Sequence, residues 1–119
     1  MTGFVRSFKY ALTGIKLAVE VDRNVRIHII LGLLVLISSI LLGISRIEFL
    51  FVLFAIFFVL ITEMINTAIE EMTNLIILEH RREARIAKDV AAAAVLLAAV
   101  FAVIVGIIVL FPRMILLLS

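Results

Sequence analysis

The chain has no cysteine. Disulfides, thiolate nucleophiles and cysteine-based metal sites are therefore excluded. Charge is also scarce. Asp, Glu, Lys and Arg make up 17% of the 119 residues, where a soluble domain carries about a quarter. No Gly-x-x-x-x-Gly-Lys loop and no soluble-kinase motif occurs, so phosphate chemistry would have to rest on positioning and metal alone. No small-residue cleavage site precedes a short apolar core near the N-terminus, and no cleavable signal peptide is expected. The one proline, Pro112, stands near the end of the last apolar run.

What is present is apolar. The hydrophobic class accounts for 66% of residues and the mean hydropathy is +1.34. At about 20 residues per span, three membrane-crossing helices use most of the chain. No room is left for a long soluble domain, so any chemistry belongs to the membrane surface or the bundle interior. The fold class expected is an all-α integral membrane protein, with an N-terminal amphipathic surface helix and three transmembrane helices.

Residues 2–21 read as the surface helix. Phe4, Phe8, Ala11, Leu12, Ile15 and Val19 recur at three and four spacing, and Arg6, Lys9, Lys16 and Glu20 supply a polar side. Residues 22–28 read as a polar hinge. Spans are expected at about 27–42, 49–74 and 89–111, the first closed by Gly43 and the last by Pro112. The connection 44–48 is so short that the second span must return antiparallel. Residues 75–88 read as a solvated loop. Asp89 opens the last span, where an acid suits a helix N-terminus, and Ala91 to Ala94 permit close packing.

The basic residues fix an expected orientation. Arg6, Lys9, Lys16, Arg23 and Arg26 precede or open the first span, and Arg81, Arg82, Arg85 and Lys88 follow the second. Only Arg46 and Arg113 fall on the other side. By the positive-inside rule the N-terminus and the 75–88 segment are cytoplasmic.

One stretch organises the functional reading. Residues 63–74 continue the apolar run 47–62 without Pro or Gly. At about 100° per residue, Glu63, Asn66, Glu70 and Asn74 fall within roughly 80° of one another. Such a polar stripe near a membrane is costly unless it faces protein, water or an ion. Magnesium takes one or two carboxylates plus substrate phosphates, and Asp22 and Glu70 can supply the carboxylates. Lys88 can neutralise transferring phosphate. Glu63 lies about two turns deeper than Glu70 and is the better general base for a lipid hydroxyl. The parts describe phosphoryl transfer to an alcohol in the membrane. Three blander readings stand beside this one: a polar pair joining helices, a proton-coupled small transporter using Glu63 and Glu70, and an inactive scaffold.

The stretch Glu63-x-x-Asn66-Thr67-Ala68-x-Glu70, followed by Ala87-Lys88-Asp89-x-Ala91-Ala92, resembles the small bacterial membrane diacylglycerol kinase family, which includes undecaprenol kinases. Phe8-x-x-Ala11-x-x-Gly14 and Asn24-x-Arg26-Ile27-His28 carry the resemblance upstream. It implies a homotrimeric, ATP- and Mg2+-dependent lipid kinase of the bacterial cytoplasmic membrane, with active sites shared between protomers. It implies Glu63 as catalytic base with Asn66 in support, and Asp22 and Glu70 as metal ligands. Tyr10, Glu79, Lys88 and Asp89 join Asp22 and Glu70 as nucleotide contacts, although Tyr10 reads equally as an interfacial aromatic. The chain departs from the family at two positions: Asp22 stands where Glu is usual, and Asn74 where Asp is usual. The Asn24-to-His28 element resembles the undecaprenol branch and favours undecaprenol over diacylglycerol as acceptor.

Overall fold

The computed structural model describes residues 2–76 and 81–119. Four helices follow in order: α1 (Thr2–Val21), α2 (Arg23–Leu42), α3 (Arg46–Thr73) and α4 (Arg81–Leu118). The last three are long and apolar enough to cross a membrane.

The break between α1 and α2 is narrower than the sequence suggests. Instead of a seven-residue hinge, Asp22 alone leaves the helical region, at φ −108° and ψ 112°. Its Oδ1 accepts from the Asn24 N–H at 2.8 Å, which satisfies one of the free donors at the start of α2. With that cap in place Arg23 to Ile27 need not be a polar linker. One Nη of Arg26 donates back to the Val19 and Glu20 carbonyls, at 2.7 and 3.0 Å. The end of α1 is thereby capped by a side chain of α2.

At the opposite end α2 stops on Gly43, whose φ of 68° is left-handed and suits a residue without Cβ. Ser45 and Glu48 form a reciprocal capping box that starts α3. Arg113 closes this end. It donates to the Gly43 carbonyl at 3.0 Å and to Glu48 Oε1 at 2.7 Å. The α2–α3 turn is tied in this way to the far end of α4.

Packing follows from small residues at regular intervals. Buried positions on α2 are Val25, Gly32 and Ser39, and on α4 Ala91, Ala98, Val105 and Val109. Spacings of seven, with a last step of four on α4, keep each row on one side of its helix. Lipid gives apolar side chains little reason to leave it, so close approach and dispersion must hold the helices together. A Cβ placed on Gly32 would come within 2.9 Å of Ile56 Cγ2, so α2 needs this glycine to meet α3. Val52, Ala55, Val105 and Val109 form the core between α3 and α4.

Two expectations for the last helix are corrected. The segment read as a solvated loop through Lys88 is helical from Arg81 onward. Ala, Arg, Glu and Lys are good helix formers, and Glu83 favours the first turn. Nor does Pro112 end the helix, which continues to Leu118. Proline removes a single N–H, and the Arg113 ties hold the chain immediately beyond it.

Candidate functional site

Glu63 lies in the body of α3, yet it is 1% exposed and ranks among the largest fully buried side chains of the described residues. A buried ionisable side chain on an apolar helix needs partners. The groups near its carboxylate are Asp22, Asn24, His28 and Glu70, of which Asp22 and Glu70 carry like charge and cannot satisfy it. The first three come from the α1–α2 junction and the first turns of α2, so two chain segments converge on one acid.

The convergence is held by hydrogen bonds. Thr67, one turn beyond Glu63, donates its hydroxyl to Asp22 Oδ2 and lies 3.0 Å from the Glu63 carbonyl oxygen. Asp22 therefore does two things at once: Oδ1 caps α2 while Oδ2 is held against α3. Asn66 donates through Nδ2 to Glu70 Oε1 at 3.2 Å. Glu63, Asn66 and Thr67 are buried, and Asp22, His28 and Glu70 are half-buried.

Two buried acceptors, Glu63 Oε2 and Asn66 Oδ1, have no hydrogen-bond partner among the described residues. An unpaired buried acceptor costs about 1–3 kcal/mol. The donor set therefore suits a hard cation or an incoming hydroxyl. Among the described residues no three His, Asp or Glu side chains converge to hold a metal by themselves. Two carboxylates, Asp22 and Glu70, fit the mode in which magnesium completes its shell with water and substrate phosphates.

The other expected site residues stand elsewhere. Lys88 and Asp89 are exposed on α4 and line a separate polar recess of about 340 Å³ with Thr73, Arg81, Ala84 and Arg85. Tyr10 is 68% exposed on α1. Within one protomer these three have no hydrogen bond or ion pair to the carboxylates among the described residues. Asn74 is exposed at the C-cap of α3, with its N–H on the Glu70 carbonyl at 3.0 Å, and its side chain makes no hydrogen bond among the described residues. Glu79 lies outside the described residues.

Thr67 is the residue that side-chain type alone gave no reason to choose. A threonine on an apolar helix usually bonds to the carbonyl four residues back, as Thr13 does on α1. The available signal was its position one helical turn from Glu63, on the face that meets Asp22.

The chain is similar to known proteins over most of its length. Residues 9–110 match the family model described as prokaryotic diacylglycerol kinase. A protein of Synechocystis named diacylglycerol kinase is 43% identical over 101 residues, covering 84% of this chain. The chain spans little more than half of that relative, 58% of its length. The undecaprenol kinase of Bacillus subtilis is 35% identical over 111 residues, covering 93% of this chain and 90% of the relative.

Proposed function

The chain belongs to the prokaryotic diacylglycerol kinase family, and from that premise we propose that it transfers the γ-phosphoryl group of ATP to the hydroxyl of a membrane lipid alcohol, undecaprenol in preference to diacylglycerol. The observation that carries the reading is the buried Glu63 carboxylate, with Oε2 unpaired, between two further acids.

In this reading Glu63 takes the proton from the lipid hydroxyl as its oxygen forms a bond to the γ-phosphorus, and the bond to the bridging oxygen of ADP breaks. A positioned base of this kind is worth about 10²–10⁴ in rate. Asp22 and Glu70 would hold magnesium, which would supply charge neutralisation to the phosphates. Thr67 fixes the direction of the Asp22 carboxylate. Asn66 does the same for Glu70 and keeps Oδ1 for the substrate side. Lys88, Asp89, Tyr10 and Glu79 contact the nucleotide.

The separation of the Lys88–Asp89 recess from the acids within one chain supports a reading in which the active site is completed between protomers of a homotrimer. The basic residues before α2 and at the start of α4 support a site on the cytoplasmic face, where ATP is available. A proton-coupled transporter would leave Lys88 and Asp89 without a role.

The test is phosphorylation by the purified chain in mixed micelles with Mg2+ and ATP, with undecaprenol and diacylglycerol assayed side by side. Undecaprenyl phosphate is the expected major product. Absence of either phosphorylated lipid would defeat the kinase reading, and phosphatidic acid as the main product would reverse the acceptor preference.

A further inference from the structure

Directly beyond Glu63, away from the α1–α2 junction, α2, α3 and α4 enclose a cleft of about 150 Å³. Its floor continues the acidic face of α3. Val52, Ile56, Val59, Glu63, Asn66 and Glu70 alternate at four and three spacing, which keeps them on one side of the helix. Val52, Ile56 and Val59 line the cleft. A single helix face thus changes from apolar to acidic at Glu63. Along α2 the cleft runs from His28 to Val35, about two turns or about 10 Å. His28 therefore belongs to both features, lining the cleft and acting on the Glu63 carboxylate.

We propose that this cleft seats an isoprene unit near the head of a polyprenol whose hydroxyl reaches Glu63. The proposal rests on the lipid-kinase reading and adds to it where the acceptor chain lies and what selects it. Four observations support it. An apolar cavity of about 150 Å³ holds a benzene-sized group, which is close to one five-carbon isoprene unit. Of the lining residues only His28 is polar. In a polyprenol the hydrocarbon begins at the hydroxyl-bearing carbon, whereas diacylglycerol would bring ester groups within a few bonds of the hydroxyl. Those esters would need hydrogen-bond partners that the walls below His28 do not offer.

Gly106 supplies the third observation. A Cβ built there meets nothing within 4 Å, so the α4 wall is open where Gly32 on α2 is tightly packed against Ile56. Gly106 lies toward the Val52 and Val105 end of the cleft, so that open space suits the methyl branch of an isoprene unit beyond the first. The fourth is Glu63 itself, one turn from Val59, fully buried with Oε2 unpartnered. A hydroxyl carried on a chain in the cleft would meet it.

The experiment uses the purified full chain and the series Gly106→Ala and Gly106→Leu. Alanine is a better helix former than glycine, so the smaller change does not threaten folding. Two readouts are taken: KM for undecaprenol, for diacylglycerol and for ATP, and the positions labelled by a short diazirine-bearing polyprenol. The KM for undecaprenol should rise a few-fold with Ala and about tenfold or more with Leu. The KM for ATP should stay constant. The photolabel should fall on the α2 and α4 walls of the cleft and be lost in Gly106→Leu. An unchanged undecaprenol KM in both variants, or label confined to outward-facing residues such as Leu97, would overturn the proposal while leaving the kinase reading intact. Cleft labelling in a wild-type chain that phosphorylates no lipid would uphold the chain site and overturn the kinase reading instead.

Discussion

Asp22 caps a helix and presents a carboxylate to α3, and a single substitution can separate the two duties. Asn caps as well as Asp, so Asp22→Asn should leave helix content and thermal unfolding near wild type. It removes the charge, however. The magnesium concentration for half-maximal activity should rise by about tenfold or more if Asp22 is a ligand, because a neutral amide oxygen is a weaker partner for a hard cation. A magnesium titration of the rate decides the matter. An unchanged titration in Asp22→Asn would confine Asp22 to capping. The Thr67 hydroxyl holds the Asp22 carboxylate against α3.

At the scale of elements, the α1–α2 junction is the part on which the site depends. Arg26 lies in no acidic cluster, yet its guanidinium caps the last carbonyls of α1 while Asp22 caps the first N–H groups of α2. Arg26→Gln should free the end of α1, and amide exchange at residues 18–24 should accelerate. The apparent KM for the acceptor should rise several-fold with a smaller effect on unfolding, since a hydrogen bond from a charged donor contributes about 1.5–3 kcal/mol and less at an exposed position. Arg26→Lys keeps the charge but not the fork, and should fall between the two. Exchange rates equal to wild type would show that the junction is held by other contacts.

The same scale shows how far the sequence could be read. Three apolar runs announced three long helices, and the spacing of Glu63, Asn66 and Glu70 announced a shared face. The helix that carries that face does meet Asp22, forty-odd positions away, through Thr67, because Asp22 ends one helix and begins another. Nothing in the local pattern revealed the Arg26 cap, the Thr67 contact or the part played by His28, since each depends on the angle at which α2 meets α3. The charged residues 81–88 suggested solvent rather than helix. Charge density reports exposure, and an exposed segment rich in Ala, Arg and Glu can be helical. Pro112 suggested a terminus for the same kind of reason: the local rule is sound, but the Arg113 clasp overrides it.

For the whole molecule, the central matter is that one protomer does not bring all the expected groups together. Glu63, Asn66, Glu70 and Asp22 form one constellation, and Lys88 and Asp89 face another recess. If protomers share sites, two inactive variants can complement one another. Glu63→Gln and Lys88→Ala, co-purified in equal amounts, should recover about a quarter of wild-type activity, the fraction of neighbouring pairs in which an intact Glu63 meets an intact Lys88 in a closed ring. Each variant alone should be nearly inactive. A mixture no more active than its components would place every functional group within one chain.

The most direct measurement is the transfer of labelled γ-phosphate to undecaprenol by wild type and by Glu63→Gln, with ATP binding and thermal unfolding followed on the same samples. The wild-type chain should form undecaprenyl phosphate, and the variant should lose about 10²–10⁴ in rate while still binding ATP and unfolding at the wild-type temperature. A folded, nucleotide-binding Glu63→Gln chain that phosphorylates the lipid at the wild-type rate would contradict the role given to the buried acid, and with it the mechanism.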